Sequence, residues 1–340
     1  MKKIIYSSIG LLFIAIACST TNKQISNSDA KPYLQTITAE NLSKHLYIVA
    51  SDEMEGRNTG EPGQKKAGEY LIKHYQSIGV PFPKGATNYY QPIPSEFFKK
   101  AFSPKLGDSE NIWAYIEGSE KPEEVLVISA HYDHVGMKNG EVYNGADDDG
   151  SGTVALLELA AAFQKAKKEG NGPKRSILFL HVTGEEHGLH GSRYYSENPL
   201  FPIANTIANI NIDMIGRRGY GKEENSNYIY VIGSDRLSTD LHKLSEEANK
   251  KYIGMELDYK YNDLNDPNRF YYRSDHYNFA KKGIPAIFFF NGVHADYHLP
   301  SDTPDKIEYD ALAKRAQLAF ALAWELANRE ERIKVDRDGK

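Results

Sequence analysis

The sequence predicts an α/β protein, a three-layer α/β/α sandwich around a mixed, largely parallel central sheet. Three observations lead there. Strand and helix patterns alternate from Asn111 onward, which is the order that covers a sheet on both faces. The stretches Val125-Leu-Val-Ile-Ser-Ala and Ser176-Ile-Leu-Phe-Leu-His-Val are almost continuously apolar, as strands buried on both faces are. Polar residues repeatedly follow such strands, and open α/β sheets place their sites outside the carboxyl ends of strands. The 340 residues admit one large domain or two average ones. No linker interrupts the chain between Pro32 and Arg332, so residues 32–340 read as a single domain.

Composition narrows the function classes. The chain is 40% hydrophobic and 26% charged, an ordinary globular balance. A net charge of -5 without any basic block argues against nucleic acid as a partner. The N-terminus reads as a targeting segment: Lys2 and Lys3 precede a short apolar run, Ile9 to Ala17, and Cys18 follows. Small residues before that cysteine resemble a bacterial lipoprotein cleavage site. Residues 1–17 are therefore expected to be a signal peptide, and Cys18 the lipidated first residue of the exported protein. Residues 18–31 are expected to be a flexible tether. Attachment to the cell envelope, in the periplasm or at the cell surface, runs through that lipid alone. Cys18 is the only cysteine, so no disulfide can form within the chain.

Taken in order, Thr38 opens a helix through Ala50, with Leu42, Leu46 and Val49 at helical spacing. A polar loop, SDEMEGRNTGEPG, follows. Residues 64–78 form a second amphipathic helix ending at Gly79, and 81–107 are irregular with an edge strand. Ile112–Ile116 and Val125–Ala130 are separated by a short turn and are expected to pair as neighbours. Further strands are expected at 176–182, 207–215, 228–232 and 285–290. Helices are expected at 153–167, 238–252 and 310–332.

The densest chemistry lies in HYDHVGMKNGEVYNGADDDGSG, from His131 to Gly152. Asp147, Asp148 and Asp149 repel one another unless a cation sits among them, and imidazole with carboxylate suits zinc. Five groups stand out as ligand candidates: His131, Asp147, the pair Glu185-Glu186, Asp213 and His298. Two imidazoles and three carboxylates are too few for two closed tetrahedral sites. If one carboxylate bridges, each metal receives three protein ligands and keeps an open position, as catalytic zinc does.

SAHYDH, NGADDDGSG, TGEEHGLHGS, NIDMIGR, RSDHYNFAKKGIPAIFFF and YHLPSDTPDKI occur in this order. Together they resemble the co-catalytic di-zinc peptidases that include the bacterial leucine aminopeptidases and glutamate carboxypeptidase II, metallopeptidase family twenty-eight. The resemblance runs from SDEMEGR to the final helix. It implies an exopeptidase with two zinc ions per chain and peptide substrates, most simply an aminopeptidase. It also implies a bridging Asp147, with His131 and Asp213 completing one site and Glu186 and His298 the other. Glu185 would be the general base, taking a proton from a water shared by the metals. Asp133 would hydrogen-bond the far ring nitrogen of His131. A cis peptide would join Asp147 to Asp148. The alternatives on this fold are a glutaminyl cyclase, an acyltransferase that uses one zinc in this family, and a carboxypeptidase or dipeptidase.

The remaining polar residues read as local. His134, His187, His190, His276 and His294 are expected to make packing or hydrogen-bonding contacts, with His276 the best exception. Ser151 lacks a nucleophile-elbow context. Arg269 and Arg273 are expected to pair with the acidic loop from Asp263 to Asp266, or else to bind a substrate carboxylate. Phe270, Tyr271 and Tyr272 wall the pocket or belong to the core. The role of the Glu55-Gly-Arg57 loop is open at this level.

Overall fold

A computed structural model describes residues 29–339. The expected signal peptide and most of the expected tether lie outside the described residues. The tether's last residues do not behave as one: Ala30 is buried and Lys31 opens a helix.

The helices are α1 (Lys31–Leu34), α2 (Ala39–Val49), α3 (Pro62–Ile78), α4 (Ser95–Lys100), α5 (Gly152–Lys168), α6 (His190–Glu197), α7 (Thr239–Ala248), α8 (His276–Ala280) and α9 (Tyr309–Asn328). The strands are β1 (Tyr90–Ile93), β2 (Ser109–Ile116), β3 (Lys121–His131), the short pair β4 (Met137–Lys138) and β5 (Glu141–Val142), β6 (Arg175–Val182), β7 (Thr206–Ile212), β8 (Tyr228–Ile232), β9 (Glu256–Asp258) and β10 (Ala286–Phe290). The main sheet has eight strands in the order β1-β2-β6-β3-β7-β10-β8-β9. Its four central strands, β6, β3, β7 and β10, are parallel. β2 and β8 flank them antiparallel.

Local signals account for the helix ends. Thr38 caps α2, its Oγ1 accepting from Asn41 N at 3.2 Å. Gly79 ends α3 in the left-handed region at φ 78°. α7 stops at Ala248, short of the expected Tyr252, because the chain widens into a turn that closes at Gly254.

Strand alternation builds the three layers. Leu126, Ile128 and Ala130 of β3 and Ile177 and Phe179 of β6 enter the core formed with α2, α5 and α9, among Phe163, Phe320 and Trp324. Val125, Val127, Leu178 and Leu180 point the other way, to Tyr195 of α6 and Phe279 of α8.

One expected pairing is wrong. β2 and β3 are not neighbours, because β6 lies between them. The link between them is not a hairpin turn. It crosses the start of β6, with Ser119 N donating to Pro173 O and Lys121 N to Lys174 O. β6 is buried along its whole length. Burial of that non-local strand outweighs the local turn signal.

Candidate metal centre

The carboxyl ends of the four parallel strands carry the candidate residues. His131 is the last residue of β3, Glu185 and Glu186 follow β6, Asp213 follows β7, and His294 to Asp302 lie beyond β10. The residue between the imidazoles is Asp148, where Asp147 was expected. Its Oδ1 lies 3.2 Å from His131 Nε2, and its Oδ2 lies 2.9 Å from His298 Nε2. Asp213 Oδ1 lies 3.5 Å from His131 Nε2, and Glu186 Oε2 lies 3.0 Å from His298 Nε2.

The three aspartates point three ways because the backbone between Ala146 and Ser151 leaves helical geometry at Asp148 (φ -101°, ψ 99°) and Asp149 (φ -113°, ψ 47°). Asp147 turns away from the cluster. Its Oδ1 accepts from Gly216 N at 2.6 Å and its Oδ2 lies 3.1 Å from His294 Nε2. Asp149 binds main chain, accepting from His131 N, Gly152 N and Met214 N. The cis peptide likewise joins Asp148 to Asp149, one residue later than expected.

Asp133 also differs from expectation. Its Oδ1 is 3.8 Å from His131 Nδ1, too far for a hydrogen bond. The Asp133 main-chain oxygen meets that nitrogen at 3.1 Å instead. The Asp133 carboxylate accepts from Thr59 Oγ1 at 2.8 Å and from Glu185 N at 3.3 Å, so it positions Glu185 rather than His131.

Electrostatics follow from burial and proximity. Burial favours the neutral form of Asp148, yet the imidazoles of His131 and His298 hold it well below the usual carboxylate range. Burial lowers His298, but the carboxylates of Asp148 and Glu186 outweigh it and push the imidazole up to about 10. Glu185 is raised well above its ordinary value, first by burial and then by Asp213 and Glu186 despite nearby His131.

The donor set fits divalent cations. His131 Nε2, Asp148 Oδ2, Glu186 Oε1 and His298 Nε2 are buried atoms without a hydrogen-bond partner. They crowd at ion-pair distance without hydrogen-bond geometry, as groups aimed at a common point do. Among the described residues, two groups place their ligand atoms within 4.8 Å of one another: His131, Asp149 and Asp213, and His134, Asp148 and Glu186. In the first, Asp148 is the better donor, since both Asp149 oxygens already accept main-chain amides. In the second, His134 Nδ1 lies 2.7 Å from Glu186 Oε1. His134 is thus an imidazole beside the centre, although its sequence context signals only local contacts. A free imidazole and carboxylate oxygens are the ligand chemistry of zinc.

The match to the model of peptidase family M28 spans residues 111–323, more than half of the chain. The chain belongs to peptidase family M28. A probable leucine aminopeptidase of Arthroderma otae is 31% identical over 315 residues, covering 88% of this chain and 76% of that protein. One of Trichophyton verrucosum is 27% identical over 315 residues, with the same coverage. Among solved structures, the LapA aminopeptidase of Legionella pneumophila aligns with a TM-score of 0.68 at 22% identity, covering 89% of this chain and 75% of that one. A glutaminyl cyclase of Bacteroides thetaiotaomicron aligns at 0.64 with 19% identity, covering 87% and 99%. At these identities the structural likeness concerns the fold, which both chemistries share.

In this M28 chain a pocket opens over Asp148, Glu185 and Asp213. Its walls include Met214, Phe270, Phe288, Phe290, Val293 and Tyr297. Tyr271 is core, whereas Tyr272 is partly exposed. His276 lies behind the wall, buried and stacked on Phe288 at 4.9 Å, with burial lowering it to about 3. Ser151 is structural, its Oγ donating to Asp147 O at 2.8 Å. Two supports of the centre carry no local signal in the sequence. Asp302 accepts the backbone N–H of Asp147 at 3.0 Å and that of Asp148 at 3.2 Å. Arg57, fully buried, donates to the main-chain oxygens of Val49, Tyr132, Asn144 and Gly145 at 2.7–2.9 Å.

Proposed function

We propose that the protein is a zinc-dependent aminopeptidase that removes N-terminal residues from peptides, with two ions shared across Asp148. The observation that carries this reading is the placement of the two Asp148 oxygens toward His131 and His298, with Asp213 and Glu186 beside them. His131 and Asp213 would hold one ion, Glu186 and His298 the other, and Asp148 both. Bound zinc would acidify a water and polarise the scissile carbonyl. Glu185 would take a proton from such a water and return it to the leaving amine. Its side chain lines the pocket beside Asp148 and Asp213, which places it for that transfer. Asp133, gripping the Glu185 backbone, fixes where that carboxylate stands. The apolar walls favour an aliphatic or aromatic first side chain, consistent with the leucine aminopeptidase names of the relatives. The folded residues from Ala30 onward would form this catalytic unit, tethered to the cell envelope through a lipid on Cys18.

The test is a cleavage panel of free and N-acetylated peptides on the zinc-loaded protein, together with zinc content per chain. Free peptides should be cut from the N-terminus and their acetylated forms spared. Equal cleavage of both overturns the aminopeptidase reading. One tightly held zinc with cyclisation of N-terminal glutamine would establish the cyclase instead.

A further inference from the structure

The substrate pocket contains a guanidinium that the chemistry above does not use. Arg273 lines it together with Asp148, Glu185 and Asp213 and is the only cation of that lining among the described residues. It is exposed. The expected ion pair with the loop from Asp263 to Asp266 does not form, and the reason is visible in the loop. Asp263 Oδ1 accepts from Asn265 N, and the Asp266 carboxylate accepts from Asn268 and from Phe270 N, so these carboxylates close turns of their own backbone.

The Arg273 guanidinium instead lies over the Phe270 ring, 4.9 Å from its centroid. Phe270 is itself held between Tyr261 and Phe290, at 4.8 and 5.0 Å. Among the described residues the guanidinium makes no hydrogen bond or ion pair, so its N–H groups are available to bind a carboxylate through two parallel bonds. The neighbouring residue fixes the segment to the centre, since Ser274 Oγ donates to Asp213 Oδ2 at 2.5 Å.

We propose that Arg273 recognises a carboxylate of the peptide substrate. The inference rests on the aminopeptidase reading and refines its specificity. Two sources present that chemistry: the terminal carboxylate of a short peptide, or an acidic side chain at the first residue.

The experiment compares the wild-type holoenzyme with Arg273→Ala and Arg273→Gln on two substrate pairs. Leu-Gly against Leu-Gly-amide isolates the terminal carboxylate. Glu-p-nitroanilide against Leu-p-nitroanilide isolates the side chain. Removing a charge-assisted contact should lower kcat/KM for the carboxylate member of one pair by about 10- to 100-fold relative to its uncharged partner. The loss should lie mainly in KM. The pair that responds identifies the source. If both ratios keep their wild-type values, the proposal is overturned. Failure of the wild type on Leu-p-nitroanilide would instead count against the aminopeptidase reading. Calorimetric titration of the Glu185→Gln holoprotein with Leu-Gly and its amide, with and without Arg273→Ala, then decides the Arg273 contact without turnover. Tighter binding of the acid that disappears in the double variant supports the terminal carboxylate as the source, and equal binding together with an unchanged Glu-p-nitroanilide ratio overturns the proposal.

Discussion

At the residue scale, the site turns on which carboxylate stands between the imidazoles of His131 and His298. The side chains of His131, Glu186, Asp213 and His298 converge around Asp148. Asp147 does not, because which member of a run of identical residues points inward depends on backbone angles that the run itself does not display. A direct comparison separates the two. Asp148→Asn should strip zinc from both sites, while Asp147→Asn, altering a carboxylate that faces Gly216 N and His294, should leave both ions bound. Metal analysis of the two purified variants reads the outcome, and equal loss in both would sink the assignment. Glu185→Gln addresses the proton transfer. It should lower kcat by about 10²- to 10⁴-fold with zinc content unchanged. Retained turnover would remove Glu185 from that role.

At the element scale, helices with caps and amphipathic spacing were readable because those signals are local. Thr38 and Gly79 mark the ends of α2 and α3 in sequence and structure alike. The order of strands was less readable, since the insertion of β6 between β2 and β3 depends on contacts distant along the chain. Arg57 illustrates the same limit. Its loop turns through left-handed backbone at Glu55, Gly56 and Arg57, and the guanidinium then reaches the carbonyls of Val49 in α2, of Tyr132 just after β3 and of the loop before Asp147. Nothing within EGR announces those partners. Arg57→Met should therefore destabilise the fold by more than about 3 kcal/mol, because several buried carbonyls lose charged donors at once. Arg57→Lys should rescue little, having only three donors and no planar fork. Urea unfolding checks both, and a small change in Arg57→Met would show that water replaces the guanidinium.

At the scale of the whole molecule, the site is a junction of segments far apart in the chain. Asp148 precedes α5, Glu186 follows β6, Asp213 follows β7 and His298 follows β10. The fold class was legible because apolar strands followed by polar residues already imply one functional edge of a sheet. Such a junction couples metal binding to folding, since the unfolded chain cannot bring these ligands together. A ligand held at a thousand times its dissociation constant stabilises the native state by about 4 kcal/mol, and a large domain gains roughly 2–4 °C per kcal/mol. Chelation of the zinc-loaded protein should thus lower Tm on the order of 10 °C. Added zinc should restore it in a concentration-dependent way. Asp148→Asn should melt at the same temperature with and without chelator, since it lacks the group shared by both ions. Calorimetric scans of both proteins give the answer. A wild-type Tm indifferent to chelation would mean that hydrogen bonds and packing alone hold the four strand ends, among them the grip of Asp302 on Asp147 and Asp148 and of Asp149 on His131, Gly152 and Met214.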